Sequence, residues 1–237
     1  MTKFKKASKR TIALFAAALI LFGSSGAMGS RAALTATSDP YDATMALNEL
    51  SVELTENGSK PEGDLLTSLA DKTISPGREY DETIQAKNTS SKADEYIRIV
   101  VRKYWTNEDG SKDCELTPDL IKLSYDGKDY NDSAWQIGDN STDEMSIYYC
   151  KSKVGAGGST APLFDTFSID AVVASDEYCT ETVTSEGGKT IYTYTYEYDG
   201  CIFNVEAEAQ AVQTHNAKDA ITSIWGVDPS SVGISVQ

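Results

Sequence analysis

Short segments in which apolar and polar residues alternate, separated by turn-forming residues, recur along most of this 237-residue chain. Leu50, Val52 and Leu54 alternate with Ser51 and Glu53. Tyr80, Thr83-Ile84 and Ala86 follow a Pro76-Gly77 turn, and residues 96–105 are rich in β-branched and aromatic side chains. A period of two places every second side chain on one face of an extended chain, so these segments predict strands. Further strands are predicted at 121–125, 146–152, 163–171, 178–184, 191–198 and 201–213. Asn107-Glu108-Asp109-Gly110, Glu186-Gly187-Gly188-Lys189 and Asp199-Gly200 supply turn chemistry where strands should reverse. Eight or nine short strands at this spacing predict an all-β fold, an antiparallel β-sandwich or jelly roll with one or two short peripheral helices.

Two segments break the alternation. Residues 61–69 begin Pro-Glu and place Leu65, Leu66 and Leu69 on one side, which predicts a short helix across the sandwich. Near the C-terminus, Asn216 is placed to cap a helix over 217–225 that Gly226 ends, with Ala220, Ile221, Ile224 and Trp225 as its buried face. The tail beyond it has no sorting motif with a basic end, so covalent attachment to a cell wall is not expected.

The first 32 residues read as a secretory signal. Lys3, Lys5, Lys6, Lys9 and Arg10 form the basic end, residues 12–22 an apolar run, and Ser30-Arg31-Ala32-Ala33 a small-residue cut site, with cleavage expected after Ala32 or Ala33. The apolar run is shorter than the roughly 20 residues that a spanning helix needs. Contact with a membrane is therefore expected only through the signal, before cleavage. The expected organisation is a signal at 1–32, a flexible segment at 33–45 free to act as a donor strand, a sandwich domain at 46–227 and a tail at 228–237.

Removal of the signal sharpens the charge. Residues 1–32 hold six of the 21 Lys and Arg residues and none of the 36 Asp and Glu residues, which leaves 15 against 36, a net −21. Such a surface repels nucleic acid phosphates, so no nucleic acid partner is expected. A secreted or cell-surface location follows.

Catalysis has little to build on. A hydrolytic zinc centre needs several nitrogen or sulfur ligands, and His215 is the one histidine. No Gly-x-Ser-x-Gly elbow accompanies it for a serine triad. No catalytic residue, cofactor or metal site is expected, and the chain reads as a non-enzyme. Two acidic loops have the oxygen-rich composition that calcium takes, Asn107, Asp109, Ser111 and Asp113 around Gly110, and Asp139, Asn140, Asp143 and Glu144. Neither matches an EF-hand loop, and both read as solvated turns.

Cys114, Cys150, Cys179 and Cys201 are even in number and lie in the exported part, which permits disulfides with one of three connectivities or free thiols. If 178–184, 191–198 and 201–213 form a meander, a strand separates Cys179 from Cys201. That spacing of roughly 9–10 Å exceeds disulfide reach. Tyr192, Tyr194, Tyr196 and Tyr198 share one face of a strand, and packing of that face on the sandwich is expected. Were it exposed, it would suit a carbohydrate or a partner surface.

Several segments together resemble the TasA and camelysin family of exported Gram-positive proteins. They are the signal ending Ser30-Arg31-Ala32-Ala33, a strand over 46–53, Ile74-Ser75-Pro76-Gly77 leading into strands at 80–88 and 96–101, and the late stretch 203–213 followed by a helix ending Trp225-Gly226. The resemblance implies a jelly roll, export through a SipW-like signal peptidase, and self-association into biofilm-matrix fibres. The metalloendopeptidase label of camelysin relatives finds no zinc ligands here. Four cysteines and the hairpin at 178–198 also depart from the family pattern. The leading expectation is a secreted structural subunit of an extracellular matrix or surface fibre, assembling through β-strand complementation. The second is a secreted adhesin or carbohydrate-binding sandwich, and a protease is the weakest.

Overall fold

The computed structural model describes residues 50–61, 65–69, 72–113, 115–187 and 189–236. These fall within Leu47–Gln237, one of the chain's two compact units. The expected signal, its cut site at Ala32 or Ala33 and the segment 33–45 lie outside the described residues, as does Cys114.

Eleven strands are described: β1 (Val52–Glu56), β2 (Glu79–Asn88), β3 (Glu95–Thr106), β4 (Lys112–Asp113), β5 (Ile121–Ser124), β6 (Trp135–Ile137), β7 (Met145–Cys150), β8 (Phe164–Ile169), β9 (Cys179–Glu186), β10 (Lys189–Tyr196) and β11 (Ile202–Gln213). One α-helix, α1 (Ala217–Trp225), follows β11. All strand pairs are antiparallel. One sheet has the order β1-β2-β8-β5, the other β11-β3-β7-β6 with β4 beside β3. The all-β sandwich with a peripheral helix is therefore the fold. The alternation is strong enough to mark every strand except β4 and β6, whose two and three residues are too short to show a period.

Between the sheets lies the main core. Ile97, Ile99, Val101 and Trp105 of β3 point into it, against Ile84, Phe164, Phe167 and Ile121 of the other sheet. Tyr148 meets Phe164 edge-on at 5.4 Å, and Phe167 meets Phe203 at 5.1 Å, so aromatic rings link the layers. The crossing from β2 to β3 is held by buried Asn88. Its Nδ2 donates to the carbonyls of Ala93 and Val154, and its Oδ1 accepts from the N–H and hydroxyl of Ser90.

A second core covers the outer face of β3, β7 and β11. Tyr96, Val100, Ile147, Tyr149 and Val212 meet Ala217, Ile221 and Trp225 of α1. Trp225 packs edge-on against Tyr149 at 5.6 Å, and Arg98 lies over its ring at 5.1 Å. The C-terminal residues expected as a tail also join this core, for a 3-10 turn at Pro229–Val232 buries Val232 and the chain then buries Ile234.

Four local expectations are corrected. The segment 61–69 forms only a 3-10 turn at Thr67–Leu69 in its described part, because strand carboxylates hold it from outside. Glu56 accepts from the Leu66 N–H and the Thr67 hydroxyl, and Glu82 accepts from the Ser68 hydroxyl and from Asn57 Nδ2. Asn216 precedes α1 with φ 50° and ψ 42°, and its side chain makes no capping bond. A side-chain cap needs extended backbone, so Asn216 contributes its carbonyl, which accepts from Ala220 N at 3.0 Å. Gly226 ends the helix at φ 73°, as expected, but the buried stripe is Ala217, Ile221 and Trp225, while Ile224 is 64 % exposed. The late meander does not form: β9 and β10 make a ribbon of their own, and β11 pairs with β3 along its whole length.

Candidate assembly and recognition surfaces

β11 is an edge strand of 12 residues, paired on one side with β3 from Ile202↔Thr106 to Gln213↔Glu95. Its other edge has no strand partner among the described residues. Phe203, Val205, Ala207, Ala209 and Ala211 face inward and are only partly buried, the sandwich being open along this side among the described residues. The outward row carries exposed Glu206 and Glu208. Tyr104 donates its hydroxyl to Glu206 at 2.7 Å, and that bond raises the phenol's pKa.

β1 closes part of the opening. Its start is tied to the Gln213 end of β11 through fully buried Glu95, which accepts from Ser51 N at 2.8 Å. Burial raises the pKa of Glu95, and its second oxygen has no hydrogen-bond partner among the described residues. β1 lies against β11, and Val52 and Leu54 of β1 pack on the same core as Ala209 and Ala211. Along the other half the opening persists as a groove of about 840 Å3, lined by Leu65, Leu69 and Ile74 on one wall and Phe203, Val205 and Ala207 on the other. Its lining mixes these apolar side chains with Lys72, Tyr104, Asn204 and Glu206. An unpaired backbone edge beside a partly apolar groove can take one further strand, which would hydrogen-bond to the edge and bury alternate side chains beneath it.

The second surface is the β9–β10 ribbon, paired from Cys179↔Tyr196 to Glu186↔Lys189. Gly187, at φ 57°, serves the reversal that the glycine pair predicted. Tyr178 and Tyr198 anchor the base, where Tyr198 meets Trp105 at 4.9 Å and Tyr178 at 5.1 Å. Beyond the base every described side chain of the ribbon is exposed. Packing of the tyrosine face is thus corrected: Tyr198 is buried, while Tyr192, Tyr194 and Tyr196 stand 58, 57 and 38 % exposed. No third layer lies over the ribbon among the described residues.

The remaining candidates are not brought together. Cys150, Cys179 and Cys201 carry free thiols, on β7, on β9 and just before β11, so no bridge joins any two of them. Cys179 and Cys201 are unpaired although no β10–β11 pairing separates them, so the expected reason does not apply. Burial raises the pKa of Cys150, and burial with nearby Asp113 and Asp199 raises that of Cys201, so neither is an activated thiol. His215 is exposed in the turn before α1. In the first acidic loop Asp109 accepts from the N–H and hydroxyl of Ser111, and Asp113 accepts from Glu115 N, bonds that shape the turn itself. Among the described residues no group of three His, Cys, Asp or Glu side chains is placed to hold a metal ion.

No signal in the alternation distinguishes the open edge of β11 from a paired one. Compared with family models, with curated proteins and with solved structures, the chain has no match.

Proposed function

We propose that this protein is a secreted structural subunit of an extracellular matrix or surface fibre, in which the segment preceding β1 of one copy lies along β11 of the next. The observation that carries this reading is the 12-residue edge of β11 beside an open groove whose lining includes Leu65, Leu69, Ile74, Phe203 and Val205. Such an edge attracts strands, and soluble proteins ordinarily protect it. Two copies of β11 oppose their Glu206 and Glu208 rows, so a different strand is favoured as the partner. The sequence resemblance to TasA and camelysin proteins supports the same reading, with a SipW-like signal peptidase freeing the N-terminal segment. On this reading the chain acts without catalysis or cofactor.

Assembly is tested by negative-stain microscopy and light scattering of three purified proteins. The form beginning at Ala33 should make filaments, more readily in salt that screens its charge. Deletion of residues 33–44 should leave a folded monomer, and Val205→Lys, which places a charge in the groove, should do the same. Filaments of normal form from both variants, or a parent that stays monomeric at high concentration and high salt, would remove strand complementation.

A further inference from the structure

The β9–β10 ribbon carries an ordered surface that fibre assembly does not use. Residues in register share a face, so Val183 and Glu181 of β9 lie beside Tyr192 and Tyr194 of β10, with Tyr196 next along the strand. Successive rings are about 7 Å apart along the strand. The opposite face is a field of five threonines around Ile191. An isolated two-stranded ribbon is marginal in water, and here only its base is anchored.

Charge selects the occupant. Residues 176–200 hold six carboxylates against the single Lys189, a net −5 over 25 residues where the whole chain carries −15 over 237. Glu181 stands within the tyrosine face, opposite Tyr194. Charged residues are depleted from the cores of protein interfaces, whereas a carboxylate beside aromatic rings holds an ammonium group through its charge and the ring faces. The rings form a row along an extended strand, which suits a repeating chain. An amino-sugar polymer can lay apolar pyranose faces on the rings and bring an ammonium group to Glu181 beside them.

We propose that Tyr192, Tyr194, Tyr196 and Glu181 form a binding surface for a cationic amino-sugar polysaccharide. The proposal rests on the exposed ribbon and is independent of fibre assembly. Calorimetric titration of the full-length chain with a glucosamine hexamer, a fully N-acetylated hexamer and hexalysine tests it. The glucosamine hexamer should bind, and the acetylated one should bind roughly tenfold more weakly for want of ammonium groups. Tyr192→Ser/Tyr194→Ser/Tyr196→Ser keeps the charge of the chain, so generic attraction of a polycation survives it. It should nevertheless weaken binding by roughly tenfold or more, with its melting transition retained. Tyr194→Ser and Glu181→Gln singly should each weaken binding several-fold. Absence of binding, equal binding of the acetylated hexamer, or unchanged affinity in the triple variant would overturn the proposal. Equal or tighter binding of hexalysine would overturn it in favour of a basic peptide.

Discussion

The pairing of β3 with β11 and that of β9 with β10 are both antiparallel and in unbroken register, yet they differ in what lies above and below them. β3 buries Ile97, Ile99, Val101 and Trp105 on one face and Tyr96 and Val100 on the other. Burial of each such apolar side chain stabilises the fold by about 1.5–3 kcal/mol, so this pair sits at the centre of the protein's stability. β9 and β10 bury almost nothing beyond their base. Strand pairing supplies the geometry in both cases, and stability comes from the layers that cover it.

The largest expected effect is on amide exchange. If the comparison holds, amides of β3 exchange only through global unfolding and those of β9 and β10 through local opening. With a global stability of about 5–15 kcal/mol, protection should differ by about three orders of magnitude or more, as hydrogen-exchange mass spectrometry would show. Equal protection would break the comparison by showing that the ribbon is covered in solution.

A pair of substitutions sharpens it. Phe167→Ala, which empties a fully buried site against Phe203, should cost about 3–5 kcal/mol in urea unfolding. Tyr194→Ser on the exposed face should change stability by no more than about 0.5 kcal/mol. A large loss from Tyr194→Ser would mean that the ribbon carries structural weight that its exposure hides.

The smallest effect concerns Glu95, where β1 meets the β3–β11 pair. Burial raises its pKa in the folded protein above the ordinary value of 4.5. The folded state therefore favours the protonated acid, and this contribution to stability is full below the unfolded pKa and is lost as pH rises through the folded one. Glu95→Gln cannot ionise and keeps an acceptor for Ser51 N, so its melting temperature should fall less than the parent's as pH is raised from 4 to 7. Identical pH profiles would show that Glu95 is not linked to folding.

Much of the fold was legible along the chain because strands and turns are encoded within a few residues. The alternation located nine of the strands, and Asp109-Gly110, Gly187 and Gly226 marked real reversals and a helix end. The surfaces were less legible. Tyr192, Tyr194 and Tyr196 alternate as regularly as Ile97, Ile99 and Val101, and only the presence of an opposing sheet separates the two rows. The leucines of 65–69 resemble a helix stripe, but their backbone is held by Glu56 and Glu82 from distant strands. The groove beside β11 involves walls more than a hundred residues apart in the chain, so no local pattern could reveal it.

By itself the amino-acid sequence determined which segments are extended, where they reverse, and that the molecule is strongly acidic, since dihedral preference, turn chemistry and charge belong to single residues or short runs. Tertiary structure alone decided which faces are buried and which edges are left open. It joined β11 to β3, covered β3 from both sides, and, among the described residues, left β9–β10 with neither face covered. The physical reason is that burial is a relation between surfaces: an apolar row leaves water only when distant strands bring a second surface within contact distance.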